Sequence, residues 1–240
     1  MVGLPARGKS YIAKRIARYV QWMGYQSHIF NLGQYRRQLV GADTPAEFFD
    51  PKNSQALIVR DQLALKALYD VINYFKQGGQ IAIYDATNTT VERRDSVREI
   101  LQRCGLSPEL MWIESICDDE DIITKTINNN KKYSPDYIDK TNEYVVKDFQ
   151  KRIENYRLQY QTLSEAELQN DSYVKIIDIG KRIEITRITG YLPTRLIFFL
   201  MNVFVEKSPI FLARTGLCEL HPLLRLAQNK WHTIKQQQQQ

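Results

Sequence analysis

The chain has 240 residues, 43% of them hydrophobic and 25% charged, an ordinary balance for a soluble globular protein and enough for one good-sized α/β domain with the start of a second. Three cysteines, Cys104, Cys117 and Cys218, with no C-x-x-C pair argue against a disulfide framework and for a reducing compartment. The longest apolar run, Leu196 to Val205, is well short of the ~20 residues that span a bilayer. A net charge of +6 suits phosphorylated substrates, nucleic acid or an acidic membrane surface, and does not choose between them. With no signal peptide evident, the expected location is the cytosol.

The first motif in chain order is Gly3-Leu4-Pro5-Ala6-Arg7-Gly8-Lys9-Ser10, which matches the phosphate-loop pattern G-x-x-x-x-G-K-[ST]. Its glycines let the backbone curl so that successive N–H groups form a nest for phosphate oxygens. Lys9 is placed to reach the β- and γ-phosphates, and the Ser10 hydroxyl to hold Mg²⁺. Tyr11 to Met23 carries Ile12, Ile16 and Val20 at helical spacing, so a helix N-terminus faces the phosphates. The bland reading is a glycine-rich turn capping a helix. A phosphate loop normally follows a buried parallel strand, and here only Met1 and Val2 precede Gly3. The expected fold is therefore α/β, a mostly parallel sheet of the phosphate-loop NTPase type flanked by helices, with its first strand largely missing from the chain.

Tyr25 to Asn31 reads as a strand, ending in Leu32-Gly33-Gln34-Tyr35-Arg36-Arg37. Paired arginines at a strand end lie where open α/β sheets bind ligands, although a solvated basic turn has the same composition. A loop with Asp43-Thr44-Pro45, Phe48-Phe49 and Asp50-Pro51 follows, its two phenylalanines suggesting a lid or docking segment. Ser54 to Gln77 has helical spacing and ends at Gly78-Gly79. Arg60 within it reads by itself as a surface charge. Gln80 to Asp85 is a short buried strand ending in the carboxylate expected to handle Mg²⁺ or its waters. Ala86-Thr87-Asn88-Thr89-Thr90 then offers Thr89 or Thr90 as a helix cap. Leu110 to Ile116 is a strand ending in Cys117, whose position alone favours an inert half-buried thiol. Glu120 to Asn130 is a polar helix and Asn142 to Tyr160 a longer one. Val174 to Ile179 and Arg182 to Ile188 form a hairpin about Gly180-Lys181. Leu192 to Phe204 is a helix or an edge segment, Ile210 to Ala213 could open another strand, and Gln236 to Gln240 is a low-complexity tail.

Several stretches together resemble the kinase half of the bifunctional 6-phosphofructo-2-kinase/fructose-2,6-bisphosphatase family, over roughly Met1 to Val205. They are the loop at residues 3–10, Tyr35-Arg36-Arg37, Val59-Arg60-Asp61, Tyr84-Asp85-Ala86-Thr87-Asn88-Thr89-Thr90, Glu114-Ser115-Ile116-Cys117, Ser134-Pro135-Asp136-Tyr137 and Lys151-Arg152-Ile153-Glu154-Asn155-Tyr156. The resemblance implies transfer of the γ-phosphoryl of ATP, with Mg²⁺, to the 2-hydroxyl of fructose 6-phosphate. The product would be fructose 2,6-bisphosphate, a regulator of glycolytic flux.

On the family pattern the loop from Gly3 to Tyr11 holds the ATP phosphates, and Thr126-Ile127-Asn128-Asn129-Asn130-Lys131 contacts the nucleotide. Arg36, Arg60, Thr87, Arg93, Lys131, Arg152 and Tyr156 match sugar-phosphate positions. Lys9, Asp85, Cys117 and Lys131 match the active site. Asp85 would orient Mg²⁺-bound water or accept the hydroxyl proton, and Cys117 would shape the site. Arginine suits a phosphate dianion because its planar fork binds bidentately. Val91 and the run Asn128-Asn129-Asn130 depart from the family pattern. So does Ala213-Arg214-Thr215-Gly216, where the phosphatase half has Arg-His-Gly with the phosphoryl-accepting histidine.

The expected organisation is a kinase domain over 1–205, a vestigial phosphatase start over 206–235 without bisphosphatase activity, and the tail at 236–240. No nucleic-acid or membrane partner is expected, and a homodimer is allowed. The rival readings are a phosphate-loop kinase acting on another hydroxyl, such as a polynucleotide 5′-end, and a non-catalytic nucleotide- or sugar-phosphate-binding protein.

Overall fold

Chain order alternates helices and strands, and the strand registers put every site-bearing strand end on one side. A computed structural model describes residues 1–106, 108–131, 134–138, 140–168 and 171–204, apart from the side chains of Asn130 and Lys131. The expectations for 206–240 lie outside the described residues. The elements are α1 (Lys9–Trp22), β1 (Ser27–Asn31), α2 (Leu32–Leu39), α3 (Ser54–Lys76), β2 (Ile81–Asp85), α4 (Val91–Arg103), β3 (Met111–Ile116), α5 (Glu120–Thr126), α6 (Asn142–Arg157), β4 (Ser172–Ile177), β5 (Arg182–Thr186) and α7 (Tyr191–Met201). No described helix is long and apolar enough to cross a membrane.

Strands β1 and β2 pair in parallel with Asn31 opposite Asp85. Strands β3 and β4 are parallel, and β4 and β5 antiparallel. Residues 1–3 lie between the two sets. Met1 N donates to Tyr84 O at 2.9 Å, Val2 N to Ile113 O at 2.8 Å, and Ser115 N to Val2 O at 3.0 Å. Val2 forms a parallel bridge with Glu114, so residues 1–2 stand where the strand before a phosphate loop runs, of which little was expected in this chain.

The alternation of side chains along the strands separates two cores. Ile83, Ile113, Val174 and Ile176 pack on Ile12, Ile16 and Val20 of α1 and on Leu196, Ile197 and Leu200 of α7. Their neighbours Phe30, Trp112 and Tyr173 pack on Leu68, Val71 and Ile72 of α3 and on Val97 and Leu101 of α4. A third core joins Cys117, Ile123 and Ile127 to Tyr137, Val145, Phe149 and Ile153.

Several boundaries differ from the sequence reading. Leu32 to Arg37 is not a strand end but the start of α2, because the Asn31 side chain accepts from Gln34 N and nucleates the helix. Phe49 is buried, so the pair at 48–49 is not an exposed lid; Phe49 lies under guanidinium groups described below. The helix read over Glu120 to Asn130 ends at Thr126 and continues as a wider turn, Ile127–Lys131. Thr90, not Thr89, caps α4, accepting from Arg93 N. The hairpin turn takes positive φ at Asp178, Ile179 and Gly180 (48°, 55° and 80°).

Arg94 anchors the long connection after α6. It is fully buried and binds Glu167 through Nε and Nη2 at 2.6 and 2.7 Å, and the carbonyls of Asn88 and Gln161 at 2.9 and 3.0 Å. Its truncation leaves the buried Glu167 carboxylate with the Arg98 guanidinium 3.5 Å away and strips the carbonyls of Asn88 and Gln161 of this donor. Arg94→Ala is expected to lower the unfolding free energy by about 3–5 kcal/mol in urea denaturation. Truncating Arg103, paired with Glu99 at 3.3 Å on the exposed face of α4, should leave the urea midpoint unchanged.

Candidate functional site

The loop from Gly3 to Ser10 is built on backbone conformations that ordinary residues resist. Gly3 has φ +131°, and a Cβ there would lie 2.5 Å from Ser115 O, so only glycine fits against β3. Ala6 at φ 59° and Gly8 at φ 81° turn the chain left-handed just before α1, which directs successive N–H groups inward. Gly3 N donates to Thr87 O at 2.9 Å, and the Ser115 hydroxyl donates to Arg7 O, so the curl is fastened to β3 and to the segment after β2. Lys9 is buried and its ammonium donates to Leu4 O at 2.6 Å, folded back across its own loop.

Beside the loop, the β1–β2 register sets Asn31 against Asp85. Asn31 Nδ2 donates to Asp85 Oδ2 at 2.5 Å and to Ser10 Oγ at 3.4 Å. One hydroxyl and one carboxylate are hard oxygen donors. They fit Mg²⁺, which keeps several waters and leans on substrate phosphates, better than a metal held wholly by protein. No cluster of three or more His, Cys, Asp or Glu able to hold a metal occurs among the described residues.

The arginines meet on the other side. Arg36, buried on α2, pairs with Asp136 at 2.5 Å, with Arg37 and Arg152 at 3.5 and 3.8 Å from the same carboxylate oxygen. Arg152 also pairs with Asp148 at 2.8 Å and donates to Thr44 O. The Phe49 ring lies 5.5 Å from the Arg36 guanidinium and 4.8 Å from that of Arg152. These cation–π contacts hold like charges together with little polar competition. Arg60 donates to Phe49 O at 3.4 Å and stands 6.0 Å from the Tyr156 ring. Arg93 pairs with Asp61 at 2.5 Å and donates to Arg60 O at 3.1 Å. Among the described residues, the buried Nε atoms of Arg36 and Arg60 have no hydrogen-bond partner, which leaves donors for an anion.

One cleft of about 1570 Å³ is lined by Pro5 to Tyr11, Asp85, Thr87, Cys117 and Thr126, and by Arg36, Arg60, Arg93, Arg152 and Tyr156. Gly3 and Leu4 lie behind this lining as loop supports. Ile127 faces the third core, while Asn128 and Asn129 are exposed. The side chains of Asn130 and Lys131 lie outside the described residues. Cys117 is buried, and that burial pushes its thiol pKa up, so it stays protonated at neutral pH. The arrangement can hold a chain of phosphates at one end and a compact anion at the other.

Sequence reasoning assigned no site role to Asn31 or Asp148, carried Asp136 only within a family motif, and read Phe49 as part of a lid or docking segment rather than as a support for the arginines. An Asn directly before a helical run was a signal for the cap. Nothing local signals that Asp136 meets an arginine 100 residues away.

A 6-phosphofructo-2-kinase family model matches residues 1–207. The 6-phosphofructo-2-kinase/fructose-2,6-bisphosphatase 1 proteins of Homo sapiens and Bos taurus are 46% and 45% identical over 222 residues, covering 92% of this chain and 46% of each relative. The 6-phosphofructo-2-kinase/fructose-2,6-bisphosphatase of Aquarana catesbeiana is 40% identical over 239 residues, 99% of this chain and 50% of that protein. The chain thus spans about half the length of these relatives.

The thiols make a direct check on the cleft. Cys104 is half-buried and Cys117 buried with a raised pKa. In a timed alkylation at neutral pH read by peptide mass spectrometry, Cys104 should label well before Cys117, and Cys117 should gain rate as pH rises above the ordinary thiol range.

Proposed function

Because the chain belongs to the 6-phosphofructo-2-kinase family, we propose that it transfers the γ-phosphoryl group of ATP to the 2-hydroxyl of fructose 6-phosphate, with Mg²⁺, giving fructose 2,6-bisphosphate. The observation that carries this reading is that a phosphate loop and a cluster of arginines drawn from α2, α3, α4 and α6 line the same cleft.

In this reading the inward N–H groups of residues 3–10 and the N-terminus of α1 bind the ATP phosphates. Lys9, steered by Leu4 O, neutralises charge where it builds up on the transferring group. Mg²⁺, when bound, supplies further charge neutralisation and would be held through Ser10 and Asp85. The guanidiniums of Arg36 and Arg152 clamp the sugar's phosphate, their spacing set by Asp136 and Phe49. Arg60, Arg93, Thr87 and Tyr156 border the sugar. Asp85 takes the proton of the attacking hydroxyl or orients water for it. Cys117 stays a neutral thiol that shapes the wall, and Lys131 is assigned by the family pattern to both the nucleotide and the sugar phosphate. Catalysis is then positioning and electrostatics with no covalent intermediate on the protein. Thr215, in place of the phosphoryl-accepting histidine of the phosphatase half, supports a kinase without bisphosphatase activity.

ATP turnover with fructose 6-phosphate, run beside Lys9→Ala and with the product located by ³¹P NMR, tests the reading. Loss of Lys9 should slow turnover by roughly 10²–10³-fold, the scale for removing one preorganised charge donor. Equal turnover by both proteins, or phosphate on another acceptor such as a polynucleotide 5′-end, would overturn it.

A further inference from the structure

One side chain touches both halves of the site without lining either as a charged group. Asn31 closes β1 and opens α2. Its Oδ1 accepts from Gln34 N at 3.0 Å, while its Nδ2 donates to Asp85 Oδ2 at 2.5 Å and to Ser10 Oγ at 3.4 Å. An amide has one acceptor end and one donor end, so a flip would put an oxygen against Asp85 and a donor against Gln34 N. The orientation is set by three partners at once. Gly33 leaves the room this needs, since a Cβ there would come 3.0 Å from Asn31 Oδ1. The β1–β2 register makes the arrangement a property of the sheet, with Asn31 directly opposite Asp85. Five residues further along α2 stands Arg36, on the buried pair with Asp136.

We infer that Asn31 is a positioning residue that couples the two half-sites: through its amide donors it sets Asp85 and Ser10 for the Mg²⁺-bound nucleotide, and through its cap it fixes the start of the helix that carries Arg36. The inference rests on the proposed kinase reading for Mg²⁺ and substrate, and adds a residue that reading does not use. One Asp85 oxygen is committed to an uncharged donor, which orients the carboxylate without competing for its charge. A hydrogen-bond partner behind a metal-binding group is commonly worth 10–100-fold in metal affinity or activity.

The two roles are separable. Asn31→Ser keeps an oxygen able to cap α2 but loses the amide that reaches Asp85. Asn31→Ala loses both. In a fluorescence titration with a fluorescent ATP analogue, Asn31→Ser should bind the nucleotide without Mg²⁺ as the parent does. It should need roughly 10-fold or more Mg²⁺ for the metal-dependent increase. With fructose 6-phosphate and ATP, its kcat should fall about 10–100-fold while KM for the sugar phosphate stays within about threefold. Asn31→Ala should show the same losses plus a raised KM, because the start of α2 is loosened. Thermal unfolding identifies a variant that fails to fold. Should Asn31→Ser do so, Asn31→Thr keeps a cap oxygen on a β-branched side chain suited to a strand end and is read the same way.

Wild-type Mg²⁺ dependence and kcat in a folded Asn31→Ser would overturn the coupling. So would a change in KM alone, which would reduce Asn31 to a helix cap. If the parent protein turns over no fructose 6-phosphate, the kinase reading fails, yet the Mg²⁺ titration still decides whether Asn31 acts through Asp85 and Ser10.

Discussion

The site depends on a curl of backbone fastened between two strands. Val2 bonds to Ile113 and Ser115, Gly3 N to Thr87 O, and the Ser115 hydroxyl to Arg7 O, so the loop cannot shift without breaking contacts along β3. Gly3 packs so close to Ser115 O that a single added carbon would separate loop from strand. Because β1, β2 and β3 all end on the same side, this one attachment brings the loop to Asn31, Asp85 and Cys117 together. A helix N-terminus and a left-handed turn then make the local field positive with no side chain involved.

The opposite wall solves a harder problem, since gathering arginines is electrostatically unfavourable. Carboxylates answer it in part: Asp136 among Arg36, Arg37 and Arg152, Asp148 on Arg152, and Asp61 on Arg93. Aromatic rings answer the rest, with Phe49 beneath Arg36 and Arg152, and Tyr137 5.0 Å from Arg152. The segment at 44–49 is tied to α6 through the Arg152 bond to Thr44 O, the Asn155 bond to Ala46 O and the Ala46 N bond to Asp148. Removing one carboxylate would therefore move several guanidiniums at once. Among the described residues of this wall, Arg36 Nε and Arg60 Nε are buried without a hydrogen-bond partner, and on the proposed reading a phosphate would supply one.

Much of this is legible in the sequence because its signals are local. The glycines and lysine of the loop, the strand ending in Asp85, the Thr90 cap and the hairpin about Gly180 each sit within a few residues of their cause. Phe49 was not legible, because exposure in a Pro-containing loop and burial beneath two arginines look the same along the chain. Arg60 reads as a surface charge until Phe49 O and the Tyr156 ring stand beside it. The break of α5 at Thr126 has no proline or glycine to announce it.

On the proposed kinase reading, the cleft has two separable half-sites, one for the nucleotide's phosphates and one for the sugar's. Calorimetric titration of fructose 6-phosphate into Lys9→Ala and into Arg36→Lys tests it most directly. Lys9→Ala should bind the sugar phosphate within about threefold of the parent. Arg36→Lys, which keeps the charge but loses the fork, should bind about 10–100-fold more weakly, the scale of one charged hydrogen bond. Loss of sugar-phosphate binding in Lys9→Ala, with binding unchanged in Arg36→Lys, would contradict the two-half-site reading.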